Sequence, residues 1–257
     1  MVTGTPDRGQ PPFGGRVLRA LAAVGVVAAL LGGATPTHGV RATEAGATTA
    51  NAKTAARSAY ELLSTTSPSR PLRWPTCRAI AYRINPAGMP KGMDGVIKRV
   101  MTGIGQQTGA TFRYAGTTKR TFGSTTRPST PTIYFGFTAK HRAYGHTFAY
   151  PGEIGVGGPT GAWYENGAGR YEAVTSGRVL LSTAFEGPLT GAGASWPSLI
   201  RHEVGHALNL AHRPAAGAVM NPTLSSRAPS RFTPAEVTAL RAVLQRTGCD
   251  YAAWSRL

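Results

Sequence analysis

The chain has 257 residues, with 28 lysines and arginines against 11 aspartates and glutamates, and a formal net charge of +17. This length suits one domain of ordinary size with flanking segments. The basic residues are scattered and form no dense run or known nucleic-acid-binding motif, which argues against a nucleic-acid-binding protein. A solvated basic surface explains the charge at least as well as attraction to acidic cell-wall polymers or acidic protein substrates does.

The start of the chain predicts an export signal. Arg16 and Arg19 precede an apolar run at 20–34 that ends in small residues, the pattern of a secretory signal peptide. The run is short and broken by glycine, whereas a membrane span needs about 20 apolar residues. We therefore expect residues 1–42 to be a signal peptide of a secreted protein, with no stable membrane insertion after cleavage. An uncleaved anchor helix is the alternative, and Ala34 is a second candidate cleavage position.

The next segment, 43–71, is rich in alanine, threonine and serine, which is typical of a linker or pro-segment. Residues 72–257 contain no repeats and are expected to form one monomeric domain. Cys77 and Cys249 are the only cysteines, and an oxidising compartment favours a disulfide between them. In the chain-entropy model such a bond stabilises the fold by about 4–5 kcal/mol. The alternative is that Cys77 is a free thiol that caps a metal.

Hydrophobic periodicity predicts five strands and three helices. The strands are expected at 77–85, 111–114, 132–137, 153–158 (a glycine-rich edge strand) and 177–183. The helices are expected at 92–107, at 196–208 after a Ser195 cap, and from Thr233 to near Gly248. In the last helix Thr233 and Glu236 can form a capping box, with Pro234 in the first turn. The order β-α-β-β-β-β-α-α indicates an α+β fold.

Residues 202–212 read HEVGHALNLAH and predict a zinc site. On a helix, His202 and His206 lie one turn apart on one face and can direct ring nitrogens to one metal. Glu203 flanks that face, where it can serve as general base toward a water molecule that the metal activates. The alternatives are an accidental surface of a helix and a zinc site without activity.

His212 is a ligand only if the helix stops before it. Ten residues of continued helix would carry His212 about 15 Å along the axis and about 280° around it from His202, out of reach of a common metal. Asn209 stands where a turn is needed, and asparagine readily adopts the left-handed conformation that ends helices. The sequence therefore predicts a positive φ at Asn209.

With this turn, the motif resembles the H-E-x-x-H-x-x-G-x-x-H signature of the metzincin zinc metalloproteases, with Asn209 in place of glycine. Met220, in the sequence Val-Met-Asn-Pro, is similar to the methionine turn that lies beneath the metal in that family. The order of elements, and the segments 74–78, 108–114 and 176–181, resemble secreted bacterial matrixins. The resemblance implies a catalytic domain with a twisted five-stranded mixed sheet and three helices.

It also implies a secreted zinc-dependent endopeptidase that acts on protein or peptide substrates. Zn²⁺ would be held by His202, His206 and His212, with Glu203 as the general base. Substrate would lie extended along 153–158, and the segment after Met220 would wall a specificity pocket. The family's cysteine-switch motif is not matched around Cys77.

Two other functions stay open at this point. A non-catalytic, zinc-stabilised module that binds the cell envelope would share the metal ligands, but it has no need of Glu203. A zinc amidase that acts on cell-wall peptides would share the chemistry and differ only in substrate. A second, structural metal near His141 and His146 would need further ligands, so these two are better explained as surface histidines.

Overall fold

The computed structural model describes residues 62–63, 65–67, 70–120, 130–140, 142–143, 146–148, 152–166 and 169–244. The predicted signal peptide, 1–42, and most of the predicted linker, 43–71, lie outside these residues. Among the residues described, no helix is long and apolar enough to cross a membrane.

A five-stranded mixed sheet forms the centre of this α+β fold, as predicted. Its strands, in chain order, are β3 (Ile80–Ile84), β4 (Phe112–Thr117), β5 (Thr132–Thr138), β8 (Gly155–Asn166) and β9 (Gly169–Ser182). They lie side by side in the order β4-β3-β5-β9-β8. The first four of these neighbours run parallel, and β8 pairs antiparallel with β9 at the edge. Two antiparallel pairs stand apart: β1 (Thr65–Ser67) with β2 (Arg70–Pro71), and β6 (Arg142–Ala143) with β7 (His146–Thr147).

Three helices are described, and each begins where the sequence predicts within a residue. Helix α1 (Met93–Thr108) connects β3 to β4 and buries an apolar face that includes Val96, Ile97 and Val100. Helix α2 is Trp196–Ala207 and helix α3 is Pro234–Val243. The predicted capping box of α3 is present. Helix α3 ends before the predicted end near Gly248, which lies outside the described residues.

The predicted strands at 153–158 and 177–183 form the open end of one long β-hairpin, opposite its connecting loop. Its register runs from Gly155 opposite Leu181 to Asn166 opposite Gly169. Apolar and polar residues do not alternate along the full length of β8 and β9. The sequence pattern therefore predicts only the parts of these strands at the open end of the hairpin. Backbone pairing between the two arms supplies the hydrogen bonds that define the rest.

The first residues of the domain are tied to the ends of two helices. The indole of Trp74 is fully buried and donates from Nε1 to the carbonyl of Ala207, at 3.1 Å. The amide of Trp74 donates to the carbonyl of Val243, at 2.9 Å. These bonds satisfy carbonyls at the C-terminal ends of α2 and α3, which have no partner within the helix.

Part of the predicted linker also lies against the domain. Leu62 forms an antiparallel bridge with Leu210, and the amide of Leu63 donates to the carbonyl of Asn209, at 3.2 Å. The chain before residue 72 therefore reaches the turn that follows α2.

Candidate metal centre

Helix α2 places the histidine motif inside the protein. Ser195 caps the helix by accepting a hydrogen bond from the amide of Ser198, and Pro197 lies in the first turn. The helix packs against β8, β9 and α1. His202, Glu203 and His206 are all at least nine-tenths buried. Their polar atoms therefore require partners inside the protein or in the adjoining cleft.

The helix stops as the sequence predicts, at a left-handed Asn209. This residue has φ 84° and is the only non-glycine residue with positive φ among those described. Its amide bonds to the carbonyl of His206 at 2.8 Å, and the amide of Leu210 bonds to the carbonyl of Gly205 at 2.9 Å. This pair of bonds is the Schellman pattern that ends many helices, and it turns the chain back toward α2.

The side chain of Asn209 has a second role that the sequence does not predict. It is fully buried, and its Nδ2 donates to the carbonyl of Leu72, at 3.0 Å. Glycine at this position would keep the turn and lose this bond. Asparagine therefore both ends the helix and ties the turn to the start of the domain.

The turn brings the three predicted ligands together. The Nε2 atoms of His202 and His206 lie 3.1 Å apart, and that of His212 lies 3.2 Å from the first and 3.1 Å from the second. Three nitrogens at about 2.0–2.1 Å from a tetrahedral zinc ion would be about 3.3 Å apart. The triangle of nitrogens therefore fits such an ion closely. It is the one group of three or more potential ligands among the described residues.

Backbone carbonyls fix the orientation of two of these rings. His202 Nδ1 lies 2.7 Å from the carbonyl oxygen of Val219, and His206 Nδ1 lies 2.7 Å from that of Leu210. Because a carbonyl only accepts, each Nδ1 carries the hydrogen, and in the neutral ring Nε2 presents a lone pair. Carbonyl partners of this kind orient metal-binding histidines.

The environment keeps these rings neutral. Burial lowers the pKa of His202 to about 4, and burial together with the nearby His202 ring lowers the pKa of His206 to about 3. Burial also lowers the pKa of His212. Neutral nitrogens whose lone pairs converge at this distance repel one another unless a cation lies between them. The donor set therefore fits a metal ion, and imidazole nitrogens in this arrangement are compatible with zinc.

Glu203 lies beside this triangle. Its Oε2 is buried and has no hydrogen-bond partner. Burial and, to a smaller extent, the negative charge of Glu153 raise the pKa of Glu203 to about 8. A nearby divalent cation would favour the ionised form instead. This carboxylate is thus positioned to exchange a proton rather than to serve in a fixed salt bridge.

The glycines of β8 allow the edge strand to approach α2 closely. A Cβ atom on Gly155 would lie 2.6 Å from Glu203 Oε1, and one on Gly157 would collide with the Glu203 carbonyl. Another residue at Gly157 would push the strand away from the helix, and one at Gly155 would displace the Glu203 side chain. Close contact with α2 therefore explains two glycines of the predicted edge strand, Gly155 and Gly157.

Met220 packs against α2 at Gly205. It is fully buried, and its sulfur occupies the space that a side chain on Gly205 would need. The Met220 amide donates to Glu236 Oε1 at 2.8 Å, and its carbonyl accepts from the Arg213 amide at 2.7 Å. The capping carboxylate of α3 thus also holds the turn that supplies the Val219 carbonyl, a role that sequence reasoning missed.

A cleft of about 710 Å³ opens over the three histidines and Glu203. One wall is the segment 152–157, and another is Pro222, Thr223 and Leu224. These are the edge strand and the segment after Met220 that, by the resemblance to metzincins, are expected to border a substrate. Leu63 also lines the cleft, although the sequence assigns it to a linker.

Glu153 is a second acid in this cleft that sequence reasoning did not assign. Its Oε1 lies 3.3 Å from Nε2 of His146, whose ring packs edge-on against Phe148. His146 belongs to no cluster of potential metal ligands among the described residues, and His141 lies outside them. The predicted disulfide also involves a residue outside them, Cys249. No described cysteine is free, and the pairing with Cys249 stays a prediction.

Comparison with protein-family models finds none that matches the chain. Comparison with curated proteins likewise finds no match. We therefore infer function from the residues of the site alone.

Proposed function

We propose that this chain is a secreted zinc-dependent endopeptidase of the metzincin type, similar to matrixins. The observation that carries the proposal is the meeting of three neutral histidine nitrogens, 3.1–3.2 Å apart, beside a buried and unpartnered Glu203 oxygen. A purely structural metal site has no use for that carboxylate. The position of the site on the floor of an open cleft supports a reaction with a substrate.

His202, His206 and His212 would hold the zinc ion and leave a fourth position toward the cleft. When bound, zinc supplies Lewis acidity, lowering the pKa of a water molecule and polarising the carbonyl of the scissile bond. The Nδ1 hydrogen bonds of His202 and His206 keep both rings in one orientation. The chain therefore contributes a rigid ligand set that needs little rearrangement.

Glu203 would carry the proton. Its Oε2 accepts a proton from the attacking water and passes it to the leaving amine nitrogen, so that the carboxylate is regenerated. Gly155 and Gly157 allow β8 to lie directly over this group. The outer backbone edge of β8 would pair with an extended peptide by adding a strand to the sheet, which directs the scissile bond toward the histidines.

Substitution of Glu203 by Gln tests this mechanism. We expect hydrolysis of a peptide library by the zinc-loaded mature protein to fall by about 10³-fold or more, while metal content stays that of the wild type. Glu186→Gln, at an exposed acid outside the cleft, is the matched control and should keep full activity. Turnover that survives Glu203→Gln would rule out this base. Activity confined to cell-wall peptides would identify an amidase instead.

A further inference from the structure

A second cavity, of about 320 Å³, lies between α1 and the segment that leads into α2. Its lining includes Arg99 of α1, Arg201 of α2, Thr190 and Ser230. Every described ionisable side chain on this lining is an arginine, and none is an acid. Its chemistry is therefore opposite to that of the cleft over the histidines.

Arg201 is the central group of this cavity. Its side chain is almost completely enclosed, with only 7% of the residue exposed. One terminal nitrogen donates to the carbonyl of Pro197 at 3.3 Å, whereas the buried Nε has no hydrogen-bond partner. No ion pair among the described residues includes Arg201. A buried guanidinium without a counter-charge is costly, and natural proteins usually supply a partner for it.

Neighbouring charges make this deficit larger. Arg99 lies on the wall of the cavity. Burial, and then the charge of Arg231, lower the pKa of Arg201 to about 10, so the group is still charged at neutral pH. Arg99 and Arg201 thus line a cavity whose described lining carries no negative charge. A bound anion would neutralise them.

We propose that this cavity binds a tetrahedral oxyanion, either free phosphate or the phosphate group of a larger molecule. Arg201 holds the anion from inside the cavity through the terminal nitrogens of its guanidinium, the group with which arginine binds phosphate. Arg99 closes the site from α1, and the hydroxyls of Thr190 and Ser230 lie on the lining as further donors. A phosphate dianion matches this positive charge better than a single carboxylate does.

Isothermal titration calorimetry of the mature protein tests the proposal with three probes: inorganic phosphate, glycerol 3-phosphate and acetate. We expect saturable binding of one phosphate per chain and clearly weaker binding of acetate. Tighter binding of glycerol 3-phosphate would identify an esterified ligand, and equal or weaker binding would identify free phosphate. No saturable binding of either phosphate, or acetate binding as tight as phosphate, would overturn the site.

Variants at exposed positions assign the binding without disturbing the core. Arg99→Gln should weaken phosphate binding by about tenfold, the loss expected for one charge-assisted hydrogen bond. Arg113→Gln, on the distant edge strand β4, is the matched control and should bind as the wild type does. Because Arg99 does not line the cleft over the histidines, this difference cannot come from phosphate on a metal. Equal binding by both variants and the wild type, or equal weakening in both, would exclude the site.

Discussion

Helix α2 contributes polar side chains to two different cavities. In one cavity hydrogen-bond acceptors lack a partner, and beside the other a hydrogen-bond donor lacks one. On the cleft face, His202, Glu203 and His206 leave acceptors open, because the ring hydrogens are already bonded to backbone carbonyls. About 100° around the same helix, Arg201 has a buried Nε donor without a hydrogen-bond partner. The histidines and Glu203 suit a bound cation, whereas Arg201 suits a bound anion. Adjacent residues on one helix can therefore serve ligands of opposite charge.

The sharpest test of this contrast is metal affinity. His212→Ala removes one ligand at an exposed position, and we expect zinc affinity to fall by more than about a hundredfold. Arg99→Gln, which belongs to the other cavity, should leave zinc affinity unchanged. Competition with a chelator of known affinity measures both variants. Wild-type affinity in His212→Ala would mean that the third ligand lies elsewhere.

A smaller effect is expected at Asn209, where the chain turns back and brings His212 to the other two histidines. Asn209→Val places a β-branched residue at φ 84°, which is strongly disfavoured, so both folding stability and zinc affinity should fall. Asn209→Gly keeps the turn but loses the bond to the Leu72 carbonyl. It should therefore lower the free energy of unfolding by about 1 kcal/mol and leave zinc affinity nearly unchanged. Urea unfolding and chelator competition on both variants separate these outcomes, and identical behaviour of the two would contradict the role of the turn.

The smallest effect concerns the pH dependence of the metal-free protein. Glu203 has a pKa of about 8 in the folded state, above its ordinary 4.5. Between these values the folded state keeps a proton that the unfolded state has released, so the free energy of unfolding falls as pH rises toward 8. The depressed pKa values of His202 and His206 act in the opposite direction, mainly below pH 6.5 and more weakly up to about pH 7.5.

Urea unfolding of the metal-free protein at pH 6.5 and pH 8 measures how the Glu203 carboxyl changes the free energy of unfolding. The wild type and the Glu186→Gln control should lose stability over this interval, and Glu203→Gln should lose markedly less. The same loss in all three proteins would show that Glu203 is not the titrating group.

Local signals in the sequence predict much of this molecule. The spacing of His202 and His206 places them on one helical face with Glu203 beside it, and the need for His212 to return predicts the turn at Asn209. The capping box of α3 follows in the same way from neighbouring residues. Each of these features depends on contacts between residues that are close in the chain, so the sequence pattern carries them directly.

The features that the sequence did not predict depend on contacts between distant segments. Arg201 resembles any charged residue on a helix until α1 encloses it beside Arg99. Glu153 and Leu63 line the cleft only because the segment 152–157 and the residues before 72 fold against it. The second bond of Glu236, to the Met220 amide, likewise joins two segments whose meeting no local pattern reveals.

The bond between Glu236 and Met220 also sets the order in which the site is completed. The histidines are synthesised first, but the carboxylate that holds the turn beneath them belongs to α3, near the end of the described chain. A nascent chain has all three ligands before it has the support that fixes the Val219 carbonyl against His202. The hydrogen bond that holds this turn is therefore completed only after α3 has been synthesised.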